Sequence, residues 1–160
     1  MELRTKANRS DAVTEREKEN RLVAYRAACE GVVLLKNDGA LPLQTKTVAL
    51  YGPGASMTIK GGTGSGEVNE RHSVTILEGM TDRGFEITTR NWIADFERLY
   101  AEAEAAYKVE KKKRINILKP NSIMDMLMEN FRAPCGPVID DSYIAASDTD
   151  SCVYVVSRQA

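Results

Sequence analysis

Lys60-Gly61-Gly62-Thr63-Gly64-Ser65-Gly66 is the stretch whose residue types best suit chemistry: glycines, small hydroxyls and one ammonium in close succession. Such backbone can take positive φ and approach a polar ligand closely, with the side chains as handles. Three chemistries use loops of this sort. A phosphate-binding loop needs Gly-x4-Gly-Lys-Ser/Thr at the start of a helix. Here Glu67 follows Gly66 and Lys60 precedes the glycines, so ammonium and hydroxyl stand in the wrong order. A dinucleotide fingerprint needs a third glycine after Gly52 and Gly54, and Met57 occupies that place. The third is a loop lining a sugar or polyol site, where backbone amides and small hydroxyls meet a ring of alcohols. The residues alone allow this reading without selecting it.

Other reactive groups carry less. Glu67 and Glu70 are carboxylates close to the loop, and His72, the one histidine, reads as a surface or capping residue rather than a base. Lys111-Lys112-Lys113-Arg114 reads as the solvated end of a helix, because no aromatic residues interleave and the surrounding sequence is acidic. Cys29, Cys135 and Cys152 are odd in number, widely spaced and without a CxxC pair, which suits free thiols in a reducing compartment and no metal centre.

The loop must be held by the elements around it. Thr47-Val48-Ala49-Leu50-Tyr51 is a β-prone apolar run that Gly52-Pro53-Gly54 stops abruptly, as expected of a buried strand whose C-terminal end enters a loop. Upstream, Thr14 and Glu17 have capping-box spacing and open an amphipathic helix ending at Gly31. Val32-Val33-Leu34-Leu35 is predicted as strand or helix extension, closed by the turn residues Asn37-Asp38-Gly39 and an extended Leu41-Pro42-Leu43 connector. Downstream, a helix is predicted over residues 73–83, a strand over 85–89 and a long helix over 94–114. Strand, helix and strand make a βαβ unit with parallel pairing. Residues 122–131 form a Met-rich helix serving as core filler or as an interface for a homo-oligomer. A rigid Ala133-Pro134-Cys135-Gly136-Pro137 loop, a short helix over 139–147 and a strand over 152–156 complete the chain. A parallel strand ordinarily leads to another element, so the ending at Ala160 reads as a cut.

The 160 residues suffice for one domain with a real core. A net charge of -1 gives no basic excess for nucleic acid or an acidic membrane surface. No secretory leader or membrane-crossing run is present in the sequence, so a cytoplasmic location is expected. The division expected is a polar arm at 1–13 and a partial α/β domain at 14–160.

The series Ala28-Cys29-Glu30-Gly31-Val32-Val33-Leu34-Leu35-Lys36-Asn37-Asp38-Gly39, then Leu41-Pro42-Leu43, then Tyr51-Gly52-Pro53-Gly54-Ala55, resembles the start of the α/β sandwich domain of glycoside hydrolase family 3. Residues 61–68 are similar to its G-G-x-G-S-G-x-V loop, Val74-Thr75-Ile76-Leu77-Glu78-Gly79-Met80 to its V-T-x-L-E-G-L helix, and Ser157-Arg158 to a strand end continuing as S-R-x-x-G-E-G. The match covers roughly residues 20–90 and the last ten; residues 91–150 agree only in helical character. The resemblance implies a sandwich of a mainly parallel sheet flanked by helices, here truncated, within a retaining β-glycosidase acting on β-glucosides or oligosaccharides without a cofactor. It implies that a nucleophilic Asp comes from a (β/α)8 barrel domain of the same enzyme, and that the acid/base Glu falls just past Ala160. The two carboxyls of such an enzyme sit about 5 Å apart. Neither is then expected in this chain, and Glu67 stands at a variable position of the motif. The implied contribution is a pocket wall from Lys60, Gly61, Gly62, Thr63, Gly64, Ser65 and Gly66, joined by Arg158, which could instead only pair with a carboxylate at the strand end. The blocks begin about twenty residues in, which implies the sandwich domain first in order, or a fragment. The alternative is a non-catalytic carbohydrate-binding or interaction module of the same fold.

Overall fold

The computed structural model describes residues 12–59, 72–114 and 131–157. They divide into two units, Met1–Pro42 and Leu43–Ala160. The first contains helix α1, Glu15–Gly31. Thr14 caps it: its hydroxyl accepts from Glu17 N–H at 3.3 Å while the Glu17 carboxylate accepts from Thr14 N–H at 2.7 Å, so two orphan donors of the first turn are satisfied reciprocally. No residue of α1 is buried. Val32 to Leu35 form neither strand nor helix extension; Val32 leaves the helix with extended backbone, and Leu35 is 92% exposed. Gly31 ends the helix, and no strand pairs with them among the described residues. The Asn37 side chain then makes the predicted turn, accepting from Gly39 N–H and Leu41 N–H while Gly39 takes φ +94°. The Leu41–Pro42 peptide is cis.

The second unit is α/β. Its order is β1 (Thr47–Tyr51), α2 (Ile76–Asp82), β2 (Glu86–Ile87), α3 (Arg90–Arg114), α4 (Asp141–Ser147) and β3 (Cys152–Tyr154). The strands form a parallel sheet in the order β2-β1-β3, with Val48 beside Ile87 and Leu50 beside Val153. Successive side chains of a strand point to opposite faces. Val48, Ala49, Leu50 and Tyr51 are all buried, so both faces of the central strand are covered, as βαβ crossovers require of a parallel sheet. On the Tyr51 side the cover is α3 and α4. The Tyr51 ring meets Trp92 edge-on at 5.5 Å, its hydroxyl donates to the Tyr143 carbonyl at 3.0 Å, and burial pushes its phenol upward. Trp92, stacked on Phe96, is the largest buried side chain of the core.

The five elements predicted over 73–83, 85–89, 94–114, 139–147 and 152–156 all form with shifted bounds, and for the strand at 85–89 the physical reason is plain. The predicted strand at 85–89 keeps only Glu86–Ile87, because at Thr89 the side chain replaces the backbone. The Thr89 hydroxyl accepts from Leu50 N–H at 2.8 Å and donates to Leu50 C=O at 2.7 Å, serving both ladder groups at once. The Thr89 carbonyl accepts from Ile93 N–H, and α3 starts at Arg90 rather than at 94. At β3 the ladder closes with Val155 N–H donating to Tyr51 C=O at 2.9 Å, after which Gly52, at φ +96°, turns β1 away. The Met-rich stretch at 122–130 lies outside the described residues.

Three carboxylates tie helix starts and packing together. The Glu78 carboxyl is held below its ordinary range first by Thr75 N–H in a second capping box. Asp95 is lowered chiefly by the Tyr143 hydroxyl, which donates to it at 2.7 Å across α3 and α4. Asp140 is lowered by the Ser142 hydroxyl and by the N–H groups it caps on α4. A carboxyl lowered in the folded state contributes stability that is complete above its unfolded pKa and lost as pH falls through the folded value. The expected result is a urea midpoint that is level down to pH about 5 and falls below pH about 4. Asp95→Asn is expected to flatten that fall; an unchanged acid profile in this variant would refute the assignment.

Candidate active site

In an open parallel sheet, ligands bind beyond the C-terminal strand ends, where neighbouring strands send their connections in opposite directions. That point here lies between β1 and β3: β1 leads through α2 to β2 on one side, and the chain returns through α3 and α4 to β3 on the other. A cavity of about 460 Å³ opens there. Pro53, Met57, Thr58 and Ile59 enter it from the segment after β1, and Ser157 from beyond β3. Phe96 and Tyr100 of α3 and the Ala133-Pro134-Cys135 loop complete it.

Each wall has a local cause. After β1 the chain makes one tight turn, with Ala55 N–H donating to Gly52 C=O and Met57 N–H to Pro53 C=O, and no helix follows among the described residues before α2. The Thr58 hydroxyl fixes the exit of this turn, donating to Gly54 C=O at 2.7 Å and accepting from Ile76 N–H at 3.0 Å. The two strand exits touch: a Cβ on Gly52 would run into the Val155 carbonyl oxygen, and one on Gly54 would lie 2.7 Å from Val155 Cγ1. Phe96 and Tyr100 stand one turn apart on α3 with ring centroids 6.1 Å apart, and Tyr100 meets Phe131 at 5.4 Å. The loop carrying Cys135 is seated on Trp92, whose Nε1 donates to Pro137 C=O at 3.0 Å; a Cβ on Gly136 would lie 2.6 Å from Trp92 Cη2.

Lys60, Gly61, Gly62, Thr63, Gly64, Ser65, Gly66 and Arg158 lie outside the described residues, as do Glu67 and Glu70. Their immediate predecessors, Ile59 and Ser157, both line the cavity. His72 is exposed and lies 3.7 Å from Glu78, where it belongs to the start of α2 and not to the cavity. The basic run pairs along its own helix, Lys113 with Glu110 at 2.9 Å and Lys111 over the Tyr107 ring. The three cysteines are exposed free thiols, and burial pushes the Cys152 thiol up. Among the described residues no helix is long and apolar enough to cross a membrane. The α3 and 133–135 walls carry no motif; the aromatic pair at i and i+4 beside a Pro-rich loop was their one sequence signal.

The chain is 49% identical over 57 residues to Beta-glucosidase A of Butyrivibrio fibrisolvens, which covers 34% of the chain and 7% of that protein. It is 44% identical over 66 residues to a probable exo-1,4-beta-xylosidase of Neosartorya fischeri, covering 41% of the chain and 8% of that protein. The fold is similar to that of beta-glucosidase 3B from Thermotoga neapolitana, solved in complex with alpha-D-glucose, with a TM-score of 0.59 and 32% identity over 92% of this chain and 19% of that one. The chain thus spans a small part of each relative's length. Residues 32–160 match the family description of the glycosyl hydrolase family 3 C-terminal domain, and the chain belongs to that family.

Proposed function

We propose that this chain forms part of a retaining β-glycosidase of the β-glucosidase type, supplying one wall of the substrate cleft and neither catalytic carboxylate. The observation that carries the reading is the cavity at the switch point between β1 and β3, lined by the residues that lead directly into Lys60 and Arg158. In this reading residues 60–66 and Arg158 bound the sugar, which is a β-glucoside or β-linked oligosaccharide. The nucleophile comes from a (β/α)8 barrel domain of the same enzyme, and the acid/base from polypeptide outside this sequence. Retaining hydrolysis needs two carboxyls about 5 Å apart. Among the described residues no carboxylate lines the cavity. That same fact favours the second reading, a non-catalytic carbohydrate-binding module of the same fold.

A chimera separates the two. Residues 32–160 replace the matching stretch of the Thermotoga neapolitana enzyme, and hydrolysis of an aryl β-glucoside is measured. Activity is expected to survive, and Gly62→Val with Gly64→Val within it is expected to lower kcat/KM by about ten- to a hundredfold, the scale of lost pocket contacts. A folded chimera without turnover, or one indifferent to the glycine changes, overturns the reading.

A further inference from the structure

The first four N–H groups of a helix have no partner within it, and whatever serves them fixes where the helix starts. In α2 all four are engaged. Thr75 N–H donates to the Glu78 carboxylate at 2.8 Å and Glu78 N–H to the Thr75 hydroxyl at 3.1 Å, which is the helix's own capping box. The other two reach back to the turn after β1: Ile76 N–H donates to the Thr58 hydroxyl at 3.0 Å, and Leu77 N–H to Ala55 C=O at 2.9 Å. The turn itself closes with Met57 N–H on Pro53 C=O, and the Thr58 hydroxyl donates onward to Gly54 C=O at 2.7 Å. A hydroxyl has one hydrogen, so donating to Gly54 while accepting from Ile76 sets its rotor and with it the side chain. Thr58 thus joins two things: the start of α2 and the cavity-lining residues 57–59, which belong to no helix or strand. A wall outside the ladders has its place set by bonds of this kind, and a misplacement of about 1 Å near a reacting site can cost about a hundredfold.

We propose that Thr58 is a positioning residue for the glycoside: its hydroxyl, shared between Gly54 C=O and Ile76 N–H, holds the wall at residues 57–59 where the substrate meets it, and acts through that wall rather than on the reacting atoms. This rests on the saccharide-cleft reading. The wall carries neither carboxylate in that reading, so its loss weakens the ground state and the transition state alike and appears in KM. In the chimera, Thr58→Val is expected to raise KM for an aryl β-glucoside about tenfold with kcat held within about threefold. Thr58→Ser keeps the hydroxyl and is expected to return KM to within about twofold of the unsubstituted chimera. Ile76→Pro reads the same bond from its other end. Ile76 is the first residue of α2, where proline fits because the N–H there is not used within the helix, and Thr75 at ψ 164° already has the backbone that precedes proline. This variant removes the donor to Thr58 and is expected to raise KM to the same extent, with the double variant no worse than either single one, since both act on one bond. Should Thr58→Val fail to fold, Ile76→Pro decides. Thr81→Val is the control: its hydroxyl donates to Leu77 C=O at 2.7 Å further along α2, it does not line the cavity, and KM is expected to stay unchanged. In the 160-residue chain itself, hydrogen exchange of the Ile76 amide is expected to speed about tenfold in Thr58→Val and not in Thr58→Ser. An Ile76 amide indifferent to Thr58→Val, or an active chimera whose KM ignores both Thr58→Val and Ile76→Pro, overturns the proposal and leaves the cleft standing. So does a fall in kcat with KM unmoved, which would put Thr58 at the reacting atoms. A folded chimera without turnover overturns the cleft reading and the proposal with it.

Discussion

Gly52→Ala is expected to destabilise the unit Leu43–Ala160 by about 4 kcal/mol, a large share of the stability of any small domain. Two costs combine. The residue takes φ +96°, where an L side chain is strained by about 1–2 kcal/mol. The new methyl would also collide with the Val155 carbonyl oxygen and lie 2.9 Å from Val155 N, and these are backbone atoms of the chain leaving β3. Relief would require breaking the Val155 N–H to Tyr51 C=O link at 2.9 Å, the last rung between β1 and β3. Gly84→Ala isolates the first cost, because Gly84 has φ +79° and a methyl there would meet nothing within 4 Å. Urea unfolding of the two variants side by side should give a loss of about 1–2 kcal/mol for Gly84→Ala and more than twice that for Gly52→Ala. Equal losses would show that the β1–β3 contact does not hold the strand exits together. The consequence reaches the site, since Pro53 follows Gly52 and Ser157 lies two residues past Val155, and both line the cavity.

How much of this was readable beforehand depends on whether the signal was local. The capping box at Thr14 with Glu17 was read from its spacing and formed as spaced; a second, at Thr75 with Glu78, has the same spacing and was not read as one. The central strand was legible because a buried parallel strand is a continuous apolar run, and Val48 to Tyr51 are one. The exposed run from Val32 to Leu35 shows the limit of that signal: apolar side chains mark a segment for burial without naming what buries it. The site was legible at its β1 end, where Gly52-Pro53-Gly54 announced a strand stop. Its other walls depend on contacts with no local signature. Phe96 and Tyr100 sit at an ordinary core spacing for a helix, and only the seating of Gly136 on Trp92, 44 residues earlier in the chain, brings Cys135 opposite them.

Thr89 is the instance in which local propensity and tertiary role diverge, and its replacement carries the second large effect. A β-branched residue in this position reads as one more strand residue, and valine would satisfy that pattern equally well. The hydroxyl is nevertheless what completes the sheet: the residue is 1% exposed and engages Leu50 N–H and Leu50 C=O together. Thr89→Val keeps the shape and leaves both Leu50 groups buried without a partner, at about 1–3 kcal/mol for each group. The expected loss is about 3 kcal/mol in urea unfolding, because part of the penalty is relieved by small shifts of β2. Thr89→Ser keeps the hydroxyl and removes one methyl, for an expected loss of about 1 kcal/mol. The ordering is the diagnostic, since packing alone would make the isosteric valine the milder change. If serine proves the more damaging of the two, the hydroxyl bridge to Leu50 does not contribute as described, and β1 is held on that side by its apolar contacts with Ile87 and α3 instead.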